Sequence, residues 1–153
     1  MRTIDETDLH ILRLLQADGR ITNAALAEAI ELTPPSTLYR VRALEKAGLI
    51  KGYHAVVDHE RLGLRLMVIC QVQLSLHQEQ PIERFRKSVE VIPEVIECLH
   101  VSGQFDFHLK IVARDMKHYE SIVREKITKI KGIAHINSCF VLSTVKSSPQ
   151  VPL

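Results

Sequence analysis

Cysteine is scarce in this chain: there are 3, Cys70, Cys98 and Cys139, an odd number and far apart. That pattern is not the framework of a disulfide-stapled secreted domain. Each sits in an apolar, strand-like run, where the default role is that of a buried small hydrophobe. Long hydrophobic runs are missing too, so no segment reads as a membrane span. The opening residues MRTIDETD turn acidic almost at once, unlike a secretory leader. A reducing, cytoplasmic setting is therefore expected. The 8 histidines fall in no Cys-x-x-Cys, His-x-x-x-His or Cys–His arrangement at ligand spacing, and no phosphate loop or nucleophile–base pair is visible. No metal site, cofactor or catalytic residue is expected on these grounds. Charge of one sign is also lacking: 20 Lys and Arg stand against 18 Asp and Glu.

What is present is a soluble-domain composition, 46% apolar and 25% charged, over 153 residues. That length holds one ordinary domain or two small ones. The hydrophobic period changes once, near residues 58–64, and divides the chain. Residues 1–57 carry helical spacing. Asp5 is placed to cap a first helix, with Asp8 close to a capping-box position and Leu9, Leu12 and Leu15 along one face. Thr22 or Asn23 starts a second helix containing Leu26 and Ile30. Glu31 and Leu32 carry a turn. Thr33 then caps a third helix that opens with Pro34 and Pro35, positions where a missing N–H is tolerated.

Helix, tight turn, helix is the arrangement that reads double-stranded DNA. Leu38, Val41 and Leu44 recur every three residues and are expected to be the buried stripe. Pro35, Ser36, Thr37, Tyr39 and Arg40 are expected on the opposite face, where hydroxyls and a guanidinium reach base edges. Arg42, Lys46 and Lys51 suit phosphates. The overall charge is only +2, so a DNA partner requires cations gathered locally, as a dimer would do.

Residues 58–64, DHERLGL, read as a linker, and residues 65–146 as a second domain. Cys70, Val72, Leu74 and Leu76 alternate with polar residues, which marks a half-buried strand. Ile82, Phe85 and Val89 mark a helix ended by Pro93. Val95 to Val101 and Phe105 to Ala113 make two further strands around the turn Ser102–Gln104. A long helix is expected after Asp115, with Met116, Tyr119, Val123, Ile127 and Ile130 on one stripe. Ile133 to Val145 is the last strand, and residues 147–153 read as a loose tail. The order βαββαβ is ferredoxin-like, one antiparallel sheet with helices on a single face. The other face lacks cover within the chain, which makes this a dimerisation domain. The fold class is thus α+β: a three-helix winged helix-turn-helix domain followed by a ferredoxin-like one.

Three segments carry a resemblance: IDETDLHILRLLQADGR, NAALAEAIELTPPSTLYRVRALEKAGLIKGYHAVVDHERLG and VSGQFDFHLKI. Along almost its whole length the chain resembles the Lrp/AsnC, or feast/famine, transcriptional regulators. Gly103 and Asp106 stand at the family's Gly-x-x-Asp signature. The resemblance implies a DNA-binding regulator that dimerises through the ferredoxin-like domain, assembles further, often to octamers, and binds an amino-acid effector between dimers. Ser102, Gly103, Gln104, Asp106 and Ser138 would line that effector site, with Asp106 taking the ammonium and turn N–H groups the carboxylate. Glu31 stands where the family often has Gly, so a strained turn is expected there. Ile136 replaces a frequent hydroxyl. The alternatives are an effector-binding module or a sirohaem-decarboxylase-like protein of the same architecture, without DNA binding.

Overall fold

The computed structural model describes residues 3–75 and 79–153, apart from the side chain of Glu79. Leu76 and His77, the last positions of the expected first-strand alternation, lie outside the described residues. The chain divides into two compact units, one up to Val56 together with Lys146–Leu153, the other Val57–Val145.

The first unit holds α1 (Glu6–Ala17), α2 (Asn23–Ala29) and α3 (Pro34–Lys46). Asp5 and Asp8 form a reciprocal capping box at the start of α1. The Thr22 and Thr33 hydroxyls cap α2 and α3, accepting from the Ala25 and Ser36 N–H groups. Asn23 does not cap. Its side-chain amide instead donates to the Pro34 carbonyl at 2.8 Å, tying the start of α2 to the start of α3. Between these helices Glu31 adopts φ 55°, the left-handed conformation expected of a residue in the glycine-like turn position. Ile11, Leu26 and Leu44 form the centre of a small core, with Leu12, Leu14, Leu15, Ile21, Ile30, Val41 and Ile50 around them.

The segment read as a loose tail lies instead along α1. The Gln16 carboxamide grips the backbone of Val151 at both ends, accepting from its N–H at 2.7 Å and donating to its carbonyl at 3.2 Å. The Gln150 side chain donates to the Gln16 carbonyl, and Arg13 to that of Leu153.

Residues 58–64 form an ordered turn: Asp58 accepts from the N–H groups of Glu60 and Arg61, and the Leu64 N–H donates to the His59 carbonyl. The second unit then follows as β1 (Leu66–Leu74), α4 (Glu79–Glu90), β2 (Val95–His100), β3 (Phe107–Ala113), α5 (Met116–Ile122) and β4 (Ile133–Phe140). The sheet is antiparallel, in the order β2-β3-β1-β4, which is the ferredoxin-like topology. Strand alternation sends Val68, Cys70, Val72, Phe107, Leu109 and Ile111 into one core with Phe85, Val89, Tyr119, Ile122 and Ile127 from the helices.

Two expectations need correction here. β4 ends at Phe140 rather than Val145, and Leu142 and Val145 are exposed. The helix after Asp115 is not one continuous α-helix either. A π-helical turn over Val123–Ile127 follows α5, and its wider winding moves the buried stripe. Ile122 and Ile127, five apart, fill the core, while Met116 is exposed.

The candidate DNA face and effector loop

The exposed stripe of α3 is sharply defined. Pro35, Tyr39, Arg42 and Lys46 are spaced as one helical face and all are exposed, with Ser36 and Leu38 beside them. Tyr39 is 73% exposed. Lys51 is exposed beyond the helix end.

Two expected DNA residues point inward. Thr37 is fully buried, and its hydroxyl donates to the Thr33 carbonyl at 3.1 Å. Arg40 belongs to an internal ion-pair cluster. Its Nη1 reaches both oxygens of Asp5, at 3.0 and 2.8 Å, and Oδ1 of the wholly buried Asp8 at 2.8 Å. The guanidinium therefore ties the start of α1 to the middle of α3. Leu38 errs the other way: expected in the core, it is 38% exposed. Three-residue steps drift backwards around a helix of 3.6 residues per turn, so 38, 41 and 44 do not share a face. The steps of four and three in Thr37, Val41 and Leu44 do. Leu38 as an exposed member of this helix face was missed, although its place three after Pro35 and beside Tyr39 signals it. Tyr53 was missed as well. Its hydroxyl donates to Glu45 at 3.1 Å, and burial, then that contact, holds the phenol above its ordinary range.

In the second unit the chain turns from β2 to β3 through Ser102–Asp106. Gly103 sits at φ 128°, which strains any residue with a side chain, although a Cβ there would meet nothing within 4 Å. Asp106 brackets the loop. Its carboxylate accepts from the Leu74 N–H at 2.7 Å, its own N–H donates to the Val72 carbonyl, and its carbonyl accepts from the Val101 N–H. Among the described residues the N–H groups of Ser102, Gly103 and Gln104 enter no backbone hydrogen bond. Ser102 and Gln104 open onto a cavity of about 790 Å³, lined also by Gln71, Val101, Phe105, His108, His135 and Asn137.

Ser138 does not join that cavity. It pairs with Cys70 across β1, so strand alternation turns it to the helix-covered face. There its hydroxyl meets that of Tyr119 at 2.5 Å, in a separate groove lined by Met116, Val123, Arg124 and Phe140 among others. Burial pushes the Tyr119 phenol up to about 12 and the Cys70 thiol up to about 11. The residues of β4 that reach the loop cavity are His135 and Asn137, the latter one position before Ser138. Period-two alternation was the available signal.

Residues 4–51 match a winged helix-turn-helix DNA-binding family and residues 67–151 the Lrp/AsnC ligand binding domain. The chain is 35% identical over 150 residues to the transcriptional regulator AzlB of Bacillus subtilis, covering 98% of this chain and 96% of that protein. It is 36% identical over 150 residues to a leucine-responsive regulatory protein of Rhizobium meliloti, at the same coverage. Among solved structures, the transcriptional regulator NMB0573 of Neisseria meningitidis, in complex with L-Met, matches with TM-score 0.91 and 33% identity over 98% of this chain and 97% of that one. The chain, a helix-turn-helix unit followed by a ligand-binding ferredoxin-like unit, belongs to the Lrp/AsnC family of transcriptional regulators.

Proposed function

We propose that this regulator reads DNA through the α3 face of Pro35, Ser36, Leu38, Tyr39, Arg42 and Lys46, with Lys51 on the phosphate backbone, and that a free amino acid at the Ser102–Asp106 loop tunes it. The carrying observation is the exposed α3 stripe, which joins a guanidinium, a phenol, a hydroxyl and an apolar side chain on one helix face. The Neisseria neighbour is a complex with L-Met, which supports an amino acid as the effector class. The loop supplies donors for a carboxylate in the N–H groups of Ser102 to Gln104. Asp106 acts there by holding the loop in place. A second copy covers the open sheet face, and dimers assemble further, to octamers.

Fluorescence anisotropy with genomic fragments tests the DNA reading. Arg42→Ala is expected to weaken specific binding by about 1–3 kcal/mol, and Lys51→Ala to weaken all sequences alike while reducing the salt slope. Unchanged affinity in Tyr39→Ala and Arg42→Ala at several salt concentrations overturns this face as the reader.

A further inference from the structure

The chain passes between the two units twice. It leaves the first after Val56 and returns to it at Lys146, so residues 146–153 belong to the helix-turn-helix unit while β4 belongs to the other. Val141 is still fastened to the second unit, its N–H donating to the Met67 carbonyl. From Leu142 to Ser147 every residue is exposed, and no hydrogen bond among the described residues engages them. The chain then engages α1. The N–H and the carbonyl of Val151 both meet the Gln16 carboxamide. The Gln150 side chain donates at 2.9 Å to the Gln16 carbonyl, one of the last four of the helix and so without an intrahelical donor. Arg13 donates to the Leu153 carbonyl at 3.1 Å. Pro149 and Pro152 bracket the gripped pair. Each fixes its own φ, which lowers the entropy lost on docking. The start of α1 is tied through Asp5 and Asp8 to Arg40 of α3, so what holds α1 also holds the reading helix.

The hold is light. No side chain of residues 146–153 is buried, and surface hydrogen bonds replace bonds to water for little net gain. We infer that residues 147–153 are a releasable strap, a second tether that restricts the DNA-reading unit and makes the regulator strict about the spacing of two DNA half-sites. The inference rests on the proposals that α3 reads DNA and that an assembled protein presents two such units. With the strap docked, residues 142–149 tie α1 to β4 in addition to the linker before β1, and a chain held at two points explores fewer arrangements than one held at a single point. A second half-site adds affinity only where both units reach their sites together. A docked strap therefore narrows the spacings that serve, and a released one widens them.

Fluorescence anisotropy tests this with the full-length protein, a variant ending at Lys146, and Gln16→Ala in the intact chain. A half-site is first selected from random-sequence duplexes with the full-length protein. A series of duplexes then carries two copies of it, their separation increased one base pair at a time over a helical turn. The full-length protein is expected to lose about tenfold or more in affinity away from its best spacing. Both variants should bind a single half-site as the full-length protein does, yet vary by only about threefold across the series. A spacing profile unchanged in either variant overturns the strap and leaves α3 as the reader. Weaker binding of a single half-site by the variants overturns it too, because the tail then braces the first unit and does not tether it. Sedimentation compares their oligomeric states, and a variant that disassembles assigns the tail to assembly instead. If no half-site is selected, the DNA reading itself falls and takes the inference with it.

Discussion

At the scale of single residues, Arg40 shows how a side chain can carry the right chemistry and the wrong job. A guanidinium on a recognition helix reads from sequence as a base contact. Here it neutralises Asp5 and the fully buried Asp8. The capping box of α1 was legible, because Asp5 and Asp8 are three apart before an apolar run. Its pairing with a residue 32 positions later than Asp8 was not, since nothing local encodes it. Arg40→Ala is therefore expected to cost fold stability, about 2 kcal/mol, by removing the guanidinium that donates to the buried Asp8 carboxylate. A urea melt followed by circular dichroism measures this, and unchanged stability would return Arg40 to the list of candidate DNA contacts. Cys70 gives a second residue-level expectation. Burial raises its pKa to about 11, so at pH 8 the reactive thiolate is rare as well as inaccessible. Maleimide labelling read by mass spectrometry should leave Cys70 unmodified in the native protein and modify it after unfolding.

At the scale of elements, patterns repeating over many residues were readable and local departures from them were not. The alternation in β1 named its core face correctly, because a strand's period of two tolerates no drift. Helical stripes misled where they were drawn with the wrong step: in α3 by choosing steps of three, and after α5 because a π-turn has no hydrophobic signature of its own. The same alternation decides the candidate effector site. It puts Asn137 at the cavity and turns Ser138 to the other face, so sequence proximity alone joined two sites that the sheet separates. The turn between α2 and α3 was legible in detail. Glu31 occupies a left-handed conformation, φ 55°, that costs an L-residue energy a glycine avoids. Glu31→Gly should stabilise the first unit by about 0.5–1 kcal/mol, the strain relieved exceeding the added chain entropy. A rise in Tm without loss of DNA binding is the expected result, and a fall would mean that the Glu31 side chain makes a contribution outweighing its backbone strain.

At the scale of the whole molecule, the sheet face opposite the helices is the surface proposed here to carry assembly. Met67 and Ile69 lie on it, and towards β2 a lysine, Lys110, stands opposite Glu97. A surface with apolar residues beside paired opposite charges is self-complementary: two copies related by a twofold axis bury the first and exchange partners among the second. Such a contact also brings two helix-turn-helix units into one particle, which answers the weak net charge of +2, because binding two DNA half-sites adds their phosphate contacts. We expect the full-length protein to sediment as a dimer or a larger species at micromolar concentration. Ile69→Lys would place one charge from each copy in that interface at the cost of a half-buried side chain only. It should shift the protein towards monomer, weaken DNA binding through the loss of the second half-site, and leave the circular dichroism of each chain unchanged. Wild-type protein that sediments as a monomer would remove the reason for an uncovered sheet. An Ile69→Lys variant that remains fully assembled would move the interface to another surface, and the helix-covered groove of Tyr119 and Ser138 is then the next face to substitute.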